Sequence, residues 1–98
     1  MIKNKIEIKD KILELRSNNK KIVFTNGCFD ILHLGHTTYL KESRNLGDFL
    51  VVAINSDESV RLLKGSGRPI NTQLVRSKNL LNLEFVDAVA IFEEKTPK

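Results

Sequence analysis

The sequence predicts an α/β fold with a parallel sheet, on three observations. Apolar runs of strand character alternate with segments of helical spacing. One of those runs, Phe49-Leu50-Val51-Val52-Ala53-Ile54, is unbroken, as expected of a strand buried on both faces of a parallel sheet. The alternation itself favours right-handed crossovers between neighbouring parallel strands.

The elements follow in order. Ile8, Ile12 and Leu15 recur at helical spacing, so an amphipathic helix is expected over about residues 6–18, ending at Asn18-Asn19. Lys21 to Thr25 reads as a short buried strand, because Ile22, Val23 and Phe24 are β-branched or aromatic. A turn at Asn26-Gly27 leads to a second helix from Gly35 to about Leu46, with Gly47 as its C-terminal stop. Phe49 to Ile54 is the second strand. Ser56 suits the N-cap of a short helix through Leu63, with Asp57 and Glu58 in the first turn, where negative charge is favoured. Lys64 to Asn71 is polar and rich in glycine and proline, hence loop. A further helix is expected from about Thr72 to Leu83, and Val86 to Phe92 forms the last strand. No repeat, linker or low-complexity segment interrupts this order.

Ninety-eight residues make a single domain with a modest core. Hydrophobic residues at 41% and charged residues at 29% are ordinary for a soluble globular chain. A net charge of +4 suits an anionic small molecule, but the basic residues are scattered. A nucleic-acid surface calls for a basic stripe with exposed aromatics, and five phenylalanines and one tyrosine are the whole aromatic set. Nucleic acid is therefore not the expected partner. The single cysteine, Cys28, cannot form an internal disulfide, which fits a reducing compartment. No apolar run approaches the ~20 residues that span a bilayer, and with charge from Lys3 onward no signal-peptide core is expected. The expected location is the cytoplasm.

The most informative stretch is Thr25-Asn26-Gly27-Cys28-Phe29-Asp30-Ile31-Leu32-His33-Leu34-Gly35-His36. It joins a strand to a helix through a glycine turn and sets two histidines three residues apart at the helix start. Free N–H groups and the positive dipole end attract anions there. From the residues alone, the histidine pair could equally bind a metal or be hydrogen-bonded in the core, although zinc wants three or four ligands. Cys28 reads as a small buried residue rather than a nucleophile. Asn55 and Asp57 follow the second strand at the carboxyl edge, where ligands bind in open α/β sheets. Lys64 and Arg68 place two cations on the loop.

The chain resembles the H-x-G-H nucleotidyltransferase superfamily, whose members join a nucleoside triphosphate to a phosphorylated small molecule and release pyrophosphate. Asn55-Ser56-Asp57, Ser59-Val60, Leu63-Lys64-Gly65 and Arg68-Pro69-Ile70-Asn71 narrow the match. With Thr25 to Asp30 they resemble the adenylyltransferase domain of bacterial ADP-heptose synthesis, over about residues 21–97.

The resemblance implies a Rossmann-like three-layer α/β/α core over residues 21–98, cut off after its third strand where the family builds five. It also implies that His33, His36 and Lys64 act on the triphosphate. Thr25, Asn26, Gly27, Cys28, Phe29, Gly35 and Arg76 would then bind nucleotide phosphates. Asp30, Asn55, Asp57 and Arg68 would face the acceptor. On the residues themselves, Gly27 suits a tight turn, Gly35 leaves room for phosphate, Phe29 suits the core, and Arg76 suits a helix surface. Magnesium is expected to accompany the triphosphate, with no dedicated protein metal site.

The leading expectation is AMP transfer from ATP to heptose 1-phosphate, for lipopolysaccharide core or a related glycan. A glycerol-3-phosphate cytidylyltransferase-like enzyme using CTP is the alternative. A binding module without turnover is the alternative of another class. An exposed edge on a three-stranded sheet would invite pairing in a homodimer.

Overall fold

The computed structural model describes residues 5–93. The first and last residues of the expected domain, 1–4 and 94–98, lie outside them. The elements are α1 (Lys5–Ser17), β1 (Ile22–Gly27), α2 (Leu34–Arg44), β2 (Phe49–Asn55), α3 (Asp57–Lys64), α4 (Gln73–Leu81) and β3 (Ala88–Phe92). Among the described residues the three strands form one parallel sheet in the order β1-β2-β3. Ile22 pairs with Phe49 at one end, and Asn55 pairs with Phe92 at the other. The expected α/β class is the observed one.

A sheet that grows in one direction with crossovers of one hand puts its connecting helices on one face. Leu40 of α2 and Leu80 of α4 pack there against Leu50, Val52, Ile54 and Val89. α1 precedes the sheet and covers the opposite face, with Ile8 and Ile12 against Val51, Ala88 and Ile22. The result is a three-layer, Rossmann-like arrangement around β2. Leu50, Val52 and Ile54 are fully buried, as the unbroken apolar run requires.

Two expectations need correction. β1 is not fully buried, for Phe24 is 63% exposed. It lies on a sheet edge, and its outward residues fall beyond the part of the sheet that α1 covers. Gly47 does not stop α2 by a left-handed turn, since the C-cap is Asn45 in right-handed helical geometry. A Cβ on Gly47 would come within 2.8 Å of the Lys21 carbonyl oxygen and of Val23 Cγ2. Glycine is needed there for close approach to the start of β1.

The amino ends of the strands are tied by charge. Asp87 Oδ2 accepts from the Leu50 N–H at 2.7 Å and pairs with Arg44 Nε at 2.9 Å. Asp48 Oδ2 accepts from the Lys21 N–H at 2.8 Å. These ties leave the carboxyl ends, where α3 begins at its Ser56 cap, for the site.

Candidate functional site

Beyond β1 the chain turns sharply under the start of α2. Gly27 closes the strand, and a Cβ on it would meet Phe29 Cε2 at 2.9 Å. The glycine therefore makes room for the Phe29 ring, which is buried in the core. The left-handed backbone of the turn falls on Phe29 itself, with φ 50°. A non-glycine residue there carries strain of roughly 1–2 kcal/mol. Its ring presses edge-on to His36, centroids 5.3 Å apart.

His33 caps α2. Its Nδ1 accepts from the Gly35 N–H at 3.0 Å, which places its own proton on Nε2 and leaves that nitrogen as a donor. Gly35 makes room for this imidazole rather than for phosphate, because a Cβ would meet His33 Cε1 at 2.9 Å. The His33 and His36 rings stack with centroids 3.9 Å apart. His36 Nδ1 is buried and has no hydrogen-bond partner in the protein. That nitrogen is itself closed to solvent, and it is the rest of the imidazole that forms part of a cleft wall.

That wall belongs to a cleft of about 230 Å³ lined by Cys28, Phe29, Asp30, Ile31, His36, Lys64 and Arg68. Lys64 is the last residue of α3, and Gly65 follows as its cap with φ 102°. Arg68 gives its Nε to Asp30 Oδ2 at 3.1 Å. The wall thus carries a lysine, an arginine and an imidazole, a set suited to a phosphate-bearing ligand. Ordinary whole-ligand pockets run to ~300–1,000 Å³, so this volume fits phosphate groups rather than an entire nucleotide.

The comparison with known proteins agrees with this geometry. The profile of the cytidylyltransferase-like family matches residues 24–98, from the middle of β1 onward. The chain belongs to the cytidylyltransferase-like family. "Bifunctional protein HldE" of Campylobacter jejuni is 54% identical over 94 residues, which are 95% of this chain and 20% of that protein. The protein of the same name from Nitratiruptor is 60% identical over 84 residues, 86% of this chain and 18% of the relative. The chain therefore spans about a fifth of the length of the curated relatives it matches. Among solved structures, the lipopolysaccharide core biosynthesis protein of Thermoplasma volcanium superposes with a TM-score of 0.66 at 40% identity. That match covers 74% of this chain and 58% of the other.

Within this nucleotidyltransferase-like domain, the expected residues divide. His36, Lys64, Arg68, Cys28, Phe29 and Asp30 line one cleft, and His33 stacks on His36. Seven others stand apart from that lining, Gly27 and Gly35 of the turn among them. Thr25 shares a 2.6 Å hydroxyl contact with Tyr39, and Asn26 is exposed at the end of β1. Asn55 is 5% exposed, donating to Ser59 Oγ at 3.1 Å and accepting from Cys28 Sγ at 3.7 Å, so it is a buried brace and not an acceptor contact. Asp57 Oδ1 accepts from Arg76 at 2.8 Å, and the Asp57 N–H donates to Gln73 Oε1.

Arg76 is the clearest correction. It is neither a phosphate contact nor a surface charge but wholly buried, at 0% exposure. Its guanidinium donates to the Cys28 carbonyl at 2.9 Å, the Asn71 carbonyl at 3.0 Å and Asp57 at 2.8 Å. One side chain thus joins the turn after β1, the loop before α4 and the start of α3. Its position on the helix gave no sign of this, because its partners lie up to 48 residues away.

Asp30 is also committed. Oδ1 accepts from the Asn71 N–H at 2.8 Å, and Oδ2 from the Ile70 N–H at 2.8 Å and from Arg68. Burial raises its pKa, but the Ile70 and Asn71 N–H groups and then Arg68 outweigh burial and hold it below the ordinary value of 3.8. His36 is shifted below its ordinary 6.5, first by burial and then by His33, against an opposing hydrogen bond to the Ile31 backbone.

Both shifts fix the acid side of the stability profile. The folded chain takes up the His36 proton less readily than the unfolded chain, so stability is complete above about pH 6.5 and falls as pH drops through that value. Asp30 contributes stability above 3.8, lost as pH falls through its lower folded value. Thermal melts from pH 8 to pH 3 should show two losses. His36→Asn should abolish the first and leave the second, and a profile unchanged by that variant would remove His36 as its source.

Proposed function

We propose that this domain transfers AMP from ATP to a sugar 1-phosphate of the heptose type, releasing pyrophosphate. The observation that carries the reading is the convergence of the His36, Lys64 and Arg68 side chains on one small cleft, with His33 stacked on His36. An oxygen of the acceptor phosphate would attack the α-phosphorus of ATP. A phosphorus–oxygen bond to the acceptor forms, the bond to the bridging oxygen breaks, and pyrophosphate leaves with the electron pair. No covalent enzyme intermediate is needed, so the side chains act by positioning and by meeting charge on the phosphoryl oxygens. His36, the His33 Nε2–H and Lys64 take the triphosphate, and Arg68 takes the acceptor phosphate.

Magnesium would enter with the triphosphate, neutralising its charge and templating the displacement. Asp30 has both oxygens engaged by N–H donors, which suits a cation carried by phosphate oxygens better than one held by the protein. No helix among the described residues is long and apolar enough to cross a membrane. We place the reaction in the cytoplasm, where ATP is available.

The heptose acceptor and ATP are supported by the resemblance carried by Asn55-Ser56-Asp57, Leu63-Lys64-Gly65 and Arg68 to Asn71, and a solved relative is named for lipopolysaccharide core biosynthesis. The family description favours a second reading, a CTP-dependent enzyme, for which the H-x-G-H resemblance suggests glycerol 3-phosphate as acceptor. Pyrophosphate release separates them, measured with magnesium, ATP and heptose 1-phosphate in one arm and CTP and glycerol 3-phosphate in the other. Turnover in the first arm is expected. Turnover only in the second transfers the assignment. Silence in both, from a folded chain that binds phosphate, identifies a binding module instead of an enzyme.

A further inference from the structure

We infer that Asp30 is a positioning residue of the cleft, orienting Arg68 toward the phosphorylated acceptor rather than touching the acceptor itself. The inference rests on the nucleotidyl-transfer reading of the cleft and assigns it a new internal division of labour.

The carboxylate of Asp30 is 5% exposed and receives three N–H groups, from Arg68 Nε and the Ile70 and Asn71 backbones. Asn71 Nδ2 donates in return to the Asp30 carbonyl at 2.6 Å. A sugar hydroxyl could reach this carboxylate only by displacing one of those donors. Its partners lie 38 to 41 residues away, so the contact joins the turn after β1 to the loop between α3 and α4. Nothing local in the chain demands it.

The consequence falls on Arg68. A guanidinium is planar, so fixing Nε sets the plane and the direction of the remaining two nitrogens. Neither of those nitrogens has a protein partner among the described residues, and the side chain lines the cleft with His36 and Lys64. Two parallel N–H donors are the arrangement that grips a phosphate bidentately. The ion pair also neutralises a carboxylate that would otherwise repel the ligand. By contrast, a side chain at Gly65 or Gly67 would meet open space.

The test is a double-mutant cycle on the full chain with Asp30→Asn, Arg68→Ala and both together. Asp30→Asn keeps the shape but turns an amide donor toward N–H groups. If Asp30 acts through Arg68, either single change raises the acceptor KM by about tenfold or more, near the worth of one charge-assisted hydrogen bond. The nucleotide KM moves less than about threefold, and the double variant is no worse than the worse single. Effects that multiply, or that fall equally on nucleotide and acceptor, overturn the proposal and leave the transfer reading standing.

The same cycle read by calorimetry with inorganic phosphate needs no turnover. Non-additive weakening in a chain that releases no pyrophosphate keeps the proposal and removes the reaction. A wild-type chain that neither turns over nor binds phosphate overturns both. Should Asp30→Asn fail to fold, Arg68→Lys carries the test. Lysine keeps the charge but, paired with Asp30, has no fork left, so a tenfold loss is expected and an unchanged acceptor KM overturns the proposal.

Discussion

Replacing His36 with alanine should lower the rate of pyrophosphate release by about a hundred- to a thousandfold, the range for removing one preorganised donor from a phosphoryl or acyl transfer site. The expectation follows from geometry. His36 lines the cleft beside Lys64 and Arg68, and Phe29 and His33 fix its ring from two sides. A ring clamped this way reorganises little when charge develops beside it. His36 is half-buried and replaceable in packing terms, so the melting temperature should fall only modestly. The decisive comparison is kcat against stability in one preparation. A variant that loses its fold in step with its rate would make His36 a packing residue.

Replacing Arg76 with methionine should do the reverse and act on stability first. The change strands the Cys28 and Asn71 carbonyls and takes the partner from Asp57. Breaking a buried pair and its hydrogen bonds costs about 3–5 kcal/mol, a large part of the ~5–15 kcal/mol that holds a small domain together. Arg76→Lys should recover only part of the loss, because three acceptors spread around a planar group do not converge on one ammonium. Urea unfolding measures both. A loss below about 1 kcal/mol for the methionine variant would show that the three segments hold together without the guanidinium.

The fold was legible because its signals are short-range. The unbroken run from Phe49, the Ser56 cap and the Ile8–Ile12 spacing each specify an element from within it. The histidines were legible for the same reason, since the turn that presents them is contiguous. The charged residues were not. Arg76, Asp57, Asp30 and Asn55 are the same residue types that contact ligands, and only their distant partners separate a brace from a binding group. Even the glycines were found with other reasons than expected, because Gly27, Gly35 and Gly47 answer to atoms that the fold brings beside them.

The loop after α3 is firm in one half and open in the other, which gives an experimentalist a foothold. Gly65 and Gly67 have nothing within 4 Å of where a side chain would grow, and Ser66 between them is exposed. That triplet sits beside Lys64 and is held through Gly65, whose N–H donates to the Arg61 carbonyl and whose carbonyl accepts from the Arg68 N–H. A fluorophore carried by a cysteine at position 66, with Cys28→Ser keeping a donor toward Asn55, would therefore sit on the exposed loop between Lys64 and Arg68, the two cations of the cleft lining. Such a labelled chain would turn phosphate binding into an optical signal.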